Sequence, residues 1–186
     1  MLAYVFWHVP AAGPTNAYEH RLAAFHAALR AAPSPGLGAT ATFGLGGIPW
    51  LGGAAGYEDW YLVAGFGALG DLNEAAVAGS RRAPHDAAAA AAAAGVAGVM
   101  AHVAGAAPLP ARPGWAAWLS KPAGLAYSDA HAELAAALQG ADAAAWQRQM
   151  TLGPATEYCA LAAAPLALPW PPAHAWTLRE VVAPDR

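Results

Sequence analysis

The stretch "LAYVFWHV", Leu2 to Val9, limits what this chain can fold into more than any other. Its aromatic and β-branched residues favour an extended conformation. Successive side chains of a strand point to opposite faces. Tyr4, Phe6 and His8 therefore share one face, and Val5, Trp7 and Val9 share the other. Both faces are rich in large apolar groups, so such a strand needs cover on both sides. Helices can cover one face. The natural cover for the other is a second sheet from the same chain.

Two stretches of the chain run in parallel. "FWHVPAAGPTNAYEHRLAAFHAAL" and "WLSKPAGLAYSDAHAELAAAL" pair Phe6 with Trp118, Pro10 with Pro122, Tyr18 with Tyr127 and Leu29 with Leu138. "TFGLGG" from Thr42 parallels "QMTLGP" from Gln149, and "DWYLVAGF" from Asp59 parallels "EYCALAAA" from Glu157. The first half then reads as a strand, a helix carrying Tyr18, Leu22, Phe25 and Leu29 on one face, and strands at "ATATFGL" and "DWYLVAGF". A short helix at "GDLNEAAVAG" comes next. A longer one at "PHDAAAAAAAAG" starts near Pro84 or Asp86 and ends by Gly95 or Gly98. A fourth strand follows at "GVMAHVAG". This is β-α-β-β-α-β, the split unit of ferredoxin-like folds. In the second half the prolines of "PLALPWPPAH" forbid the second helix, and "AWTLREVV" supplies the last strand. The predicted fold is α+β, with tandem ferredoxin-like halves at 1–108 and 109–186 packed sheet to sheet as an intrachain α/β barrel.

Bulk properties exclude several classes. Hydrophobic residues form 58% of the 186, but many are Ala, and charged residues form 11%. The net charge of −3, with Arg81–Arg82 as the only adjacent basic pair, gives no footprint for nucleic acid. The run from Ala87 to Gly105 carries no Lys, Arg, Asp or Glu. It is long enough to cross a bilayer, but it lacks the Leu, Ile and Phe that drive insertion, so no membrane span is expected. The N-terminus has no basic region or small-residue cleavage pattern, and the expected location is cytoplasmic. A lone Cys159 rules out an intrachain disulfide and a cysteine zinc cluster. Low charge permits association into a homo-oligomer.

The segment "YEDWYLVAGFGALGDLNEAAVAGSRRAPHDAAAA" resembles the dimeric α/β-barrel superfamily, which includes stress-responsive barrel proteins and antibiotic-biosynthesis monooxygenases. It looks like that group's third strand, the short segment after it, and a His, here His85, opening the second helix. The resemblance implies two ferredoxin-like units packed sheet to sheet. It also brings cofactor-independent monooxygenase activity into consideration, with haem binding as a variant.

No phosphate-binding loop, metalloprotease helix or nucleophile elbow is present. No two of the seven histidines stand at i, i+4 on one helix, so spacing supports no metal site. His8 shares a face with Tyr4 and Phe6, and His102 shares one with Met100. Each is a candidate ligand, base or haem contact, or else a core His with one backbone partner. Arg148, alternating with Trp146 and Met150, could bind an anionic group or pair internally with Glu157. Lys121 reads as solvated, and Cys159 as buried and inert. The eight Trp could line a pocket or fill the core. The expectation is a small-molecule-binding protein with an aromatic-lined cleft between the sheets or at a barrel mouth. Its ligand is small and apolar or anionic, and Tyr4, His8, His102, Arg148 and Tyr158 are the candidate contacts. The alternatives are an enzyme of the kinds named above, or a structural or assembly protein with a filled barrel.

Overall fold

A computed structural model describes residues 1–149 and 156–184. Its strands are β1 (Leu2–Pro10), β2 (Leu37–Ile48), β3 (Ala54–Val63), β4 (Ala92–Ala104), β5 (Trp115–Leu119), β6 (Ala143–Arg148), β7 (Tyr158–Ala162), β8 (His174–Thr177) and β9 (Arg179–Val182). The helices are α1 (Thr15–Ala31), α2 (Phe66–Ala76), α3 (Gly79–Ala89) and α4 (Tyr127–Ala137), with a single 3-10 turn at Pro49–Leu51. The segment matched to "TFGLGG", Gln149 to Pro154, lies outside the described residues apart from Gln149.

All nine strands form one antiparallel sheet in the order β8-β5-β7-β6-β4-β1-β3-β2-β9. The sheet curls into a nearly closed barrel. The last segment explains the closure. "AWTLREVV" reads as one strand, but it divides at Leu178: β8 pairs with β5 at one edge, and β9 pairs with β2 at the other. One buried residue, Leu178, thus joins the two edges.

The predicted alternation of β1 holds. Val5 and Trp7 point into the barrel with Ala41, Phe43, Trp60, Leu62, Met100, Trp118, Trp146 and Leu161. Trp7, Trp60, Trp118 and Trp146 are fully buried. Trp7 and Trp118, from strands on opposite walls, meet edge to face at 5.2 Å, and Trp60 meets Trp146 at 5.6 Å. Where small Ala residues line much of the wall, these indoles supply the missing core volume. Trp50 of the 3-10 turn packs against Trp7, Trp118 and Trp176.

Helices cover the outer faces. α1, α2 and α3 lie over β1, β3 and β4, and α4 lies over β5, β6 and β7. Between β7 and β8 the Pro-rich segment contains no helix. The Ala-rich run is divided differently from the sequence expectation. α3 already stops at Ala89, and Ala92 to Gly95 belong to β4, with Ala92 opposite Pro10, Ala94 opposite Val9 and Gly95 opposite His8. Pairing along β1 outweighs the helix propensity of Ala, which is only a weak prior. Among the described residues, no helix is long and apolar enough to cross a membrane.

Candidate functional site

β3 carries two adjacent acids, Glu58 and Asp59, and its pleat sends them to opposite faces. Both are buried. Burying a carboxylate is costly unless it is partnered, and each acid has partners.

Asp59 emerges on the helix side. Its Oδ2 accepts from the Tyr61 hydroxyl at 3.0 Å and lies 3.2 Å from His8 Nε2. Its Oδ1 accepts from the Thr42 hydroxyl at 2.6 Å and lies 3.6 Å from His26 Nε2. His26 Nε2 is also 2.9 Å from Thr42 Oγ1. Since the Thr42 proton is committed to Asp59, the threonine oxygen accepts from His26. On the far side of His8, the Tyr18 hydroxyl lies 2.7 Å from Nδ1. Three strands and α1 thus converge on one carboxylate. Burial alone would raise its pKa. The histidines beside it and their hydrogen bonds more than offset this and hold it well below the usual aspartate range. Burial, and then the charge of Asp59, raise the hydroxyl pKa of Tyr4, Tyr18 and Tyr61. These groups remain phenols.

This cluster is the polar floor of a cavity of about 680 Å³ between the sheet and helices α1, α2 and α3. Tyr4, His8, Asp59 and Tyr61 rise from the sheet, and Tyr18 and Phe25 descend from α1. Leu72 of α2 and His85 and Ala88 of α3 complete the wall. The imidazole of His8 is clamped between the rings of Phe6 and Tyr57, with centroids at 5.1 and 5.6 Å and interplanar angles of 20° and 18°.

Glu58 enters the barrel interior. Its Oε2 accepts from the Trp7 indole and its Oε1 from the Trp60 indole, both at 3.1 Å. Burial raises its pKa, the two indole donors lower it, and the nearby Asp59 charge raises it, with a net position of about 7.

The five residues singled out in the sequence do not form one site. Tyr4 and His8 line the helix-side cavity. His102 belongs to the interior face of β4, edge to face with Trp146 at 5.2 Å, and burial lowers its pKa. Arg148 is half-buried on β6, and its backbone N–H donates to the Glu157 carbonyl at 2.8 Å. Tyr158 is fully buried under α4 beside His131 and Trp170. Burial, and then Glu157, push its hydroxyl pKa up to about 12. Cys159 is buried in the barrel. Sequence reasoning missed Asp59, Tyr18, His26 and Thr42 as a set connected through His8, and Glu58 as the acid on the opposite face. The available signal was a pair of acids inside an otherwise aromatic strand, where each must find a partner.

Among the described residues, no group of three or more His, Cys, Asp or Glu is arranged to hold a metal ion. The chain matches no protein family, curated protein or solved structure with which it was compared.

Proposed function

We propose that this chain is a small-molecule-binding protein whose ligand occupies the cavity between the sheet and helices α1 to α3. The cavity itself carries the reading. Its volume of about 680 Å³ falls within the range of small-molecule sites, which are largely apolar with a few convergent polar groups. Here the apolar wall comes from Leu22, Phe25, Leu69, Leu72 and Val99, and the polar groups converge on Asp59. The fully buried indoles pack the barrel interior, so the reading places the ligand behind the sheet rather than between sheets. The ligand is small and mainly apolar.

The proposal extends to architecture. The order β4-β1-β3-β2 puts the first strand of its run between the fourth and the third, and β8-β5-β7-β6 does the same. This supports two ferredoxin-like units, residues 1–108 and 109–186, joined as in the dimeric α/β-barrel superfamily. Fold likeness alone carries no activity. A haem would need an axial ligand. His8 has both ring nitrogens committed, which leaves His85 as the other histidine lining the cavity.

Binding of para-nitroanisole, an apolar aromatic probe, tests the reading by calorimetry. The wild type is expected to bind it. Ala88→Trp, which fills the cavity from α3, is expected to weaken binding by about tenfold or more, equivalent to about 1.4 kcal/mol. No binding to the wild type, or equal binding to a folded Ala88→Trp variant, overturns the reading.

A further inference from the structure

The hydrogen bonds at the cavity floor run in one direction. An ionised carboxylate only accepts, so His8 Nε2 carries the hydrogen that faces Asp59 at 3.2 Å. In neutral His8 the Nδ1 is then a lone pair, and the Tyr18 hydroxyl donates to it at 2.7 Å. Tyr18 makes no other side-chain hydrogen bond among the described residues, and it lines the cavity. Its oxygen keeps lone pairs for a ligand donor. A chain of exchangeable protons thus leads from the apolar space through the phenol and the imidazole to a buried carboxylate. Tyr61 and Thr42 fix that carboxylate, and Phe6 and Tyr57 hold the imidazole flat between them.

We propose that Tyr18, His8 and Asp59 form a proton relay that ionises an apolar ligand bearing an acidic hydroxyl, a phenol or an enol. This rests on the reading that the cavity holds an apolar ligand, and it names that ligand's chemical class. The ligand O–H bond breaks and its proton passes to Tyr18 Oη. The proton already on Tyr18 passes to His8 Nδ1. The ligand oxygen keeps the electron pair, and the new imidazolium stands against the Asp59 carboxylate. Nothing is oxidised, and no further reactant enters. Tyr18 begins and ends as a phenol, so it transfers a proton without storing charge. The ligand anion then accepts a hydrogen bond from Tyr18 in place of water. The arrangement follows the logic of a nucleophile–His–Asp triad, with a phenol at the position that meets the ligand. Around it stand Tyr4, Tyr61, His26 and His85. Tyr57 stands there as well, its hydroxyl donating to Glu19 at 3.0 Å.

The test compares para-nitrophenol with its methyl ether, para-nitroanisole, which has the same ring and no dissociable proton. The phenolate absorbs visible light and the neutral phenol does not, so the spectrum of the bound probe reports its protonation. At a pH below its midpoint in water, the wild type is expected to bind the phenol as the anion, about tenfold or more tighter than the ether. Tyr18→Phe is expected to lose more affinity for the phenol than for the ether and to hold the phenol only in its neutral form; a variant that still binds the phenol as the anion overturns the relay. If the wild type binds the phenol in its neutral form and no tighter than the ether, the relay is refuted and the cavity remains a plain apolar receptor. If neither probe binds, the cavity reading falls and the relay falls with it.

Discussion

Asp59→Asn removes one charge and changes almost no volume. The carboxylate accepts from Thr42, Tyr61 and His8 at 2.6, 3.0 and 3.2 Å, all of them buried. Hydrogen bonds to charged groups contribute roughly 1.5–3 kcal/mol each. An amide in the same place offers one acceptor oxygen and one N–H₂ donor. If its oxygen keeps His8 and Tyr61, the N–H₂ faces the Thr42 hydroxyl, whose proton must turn away. One charge-assisted bond is lost and two are weakened. The expected cost is about 3–5 kcal/mol, the range for removing one partner of a buried pair. For a chain of this size that corresponds to a Tm lower by roughly 6–20 °C. The pH dependence adds a second check. The native pKa of Asp59 lies below its unfolded value, so between the two the native state binds fewer protons than the unfolded chain. The stabilisation is therefore complete above the unfolded aspartate midpoint of about 3.9. It is lost as pH falls through the lower native midpoint. Urea denaturation of wild type and variant at neutral pH, and again below about pH 4, measures both effects, with the gap narrowing in acid. A neutral-pH loss below about 1 kcal/mol, no more than an average substitution costs, refutes Asp59 as the anchor of the floor.

Glu58 works in the opposite sense. With a native pKa of about 7 against an ordinary 4.5, the folded chain binds the extra proton in that window, and stability falls as pH rises through it. The fall is about 3 kcal/mol and should vanish in Glu58→Gln; equal pH slopes in denaturation of the two proteins contradict the assignment. Trp7 and Trp118 are both fully buried, but of the two only the Trp7 indole holds Glu58, while the buried Trp118 Nε1 has no hydrogen-bond partner among the described residues. At a pH where Glu58 is ionised, Trp7→Phe is therefore expected to destabilise by about 1.5–3 kcal/mol more than Trp118→Phe, measured by urea melts; equal losses would show that packing alone accounts for both.

The two-sided strand β1 was legible because alternation survives any environment: Trp7 went inward, and Tyr4 and His8 outward, as the pattern requires. The internal matches show how fragile that signal is across a repeat. Phe6 was paired with Trp118, but Phe6 lies on the helix side and Trp118 in the barrel. Trp7 is the residue that shares Trp118's interior. Likewise Trp60 was paired with Tyr158, yet Trp60 is inside, and Tyr158 packs under α4. In both strands the matched residues are one place out of step, and a one-residue slip moves every side chain to the other face. In "DWYLVAGF" Asp59 is the expected opening residue of its strand. The strand in fact begins at Ala54, which places both acids well inside it. No histidine stands four residues from His26, so helix spacing gives it no visible partner. Its partner is Thr42, brought in from β2, and no local spacing reveals contact between a helix and a strand. The division of the last segment between β8 and β9 was hidden for the same reason. Only the closed sheet gives the two parts different neighbours.

Backbone and indole N–H resonances, followed while para-nitroanisole is titrated in, locate the ligand most directly. The account predicts shifts at Leu22, Phe25, Leu72 and Ala88, around the helix-side cavity, with the indole signals of Trp118 and Trp146 unmoved. Shifts centred on those two indoles instead would place the ligand inside the barrel and contradict the account.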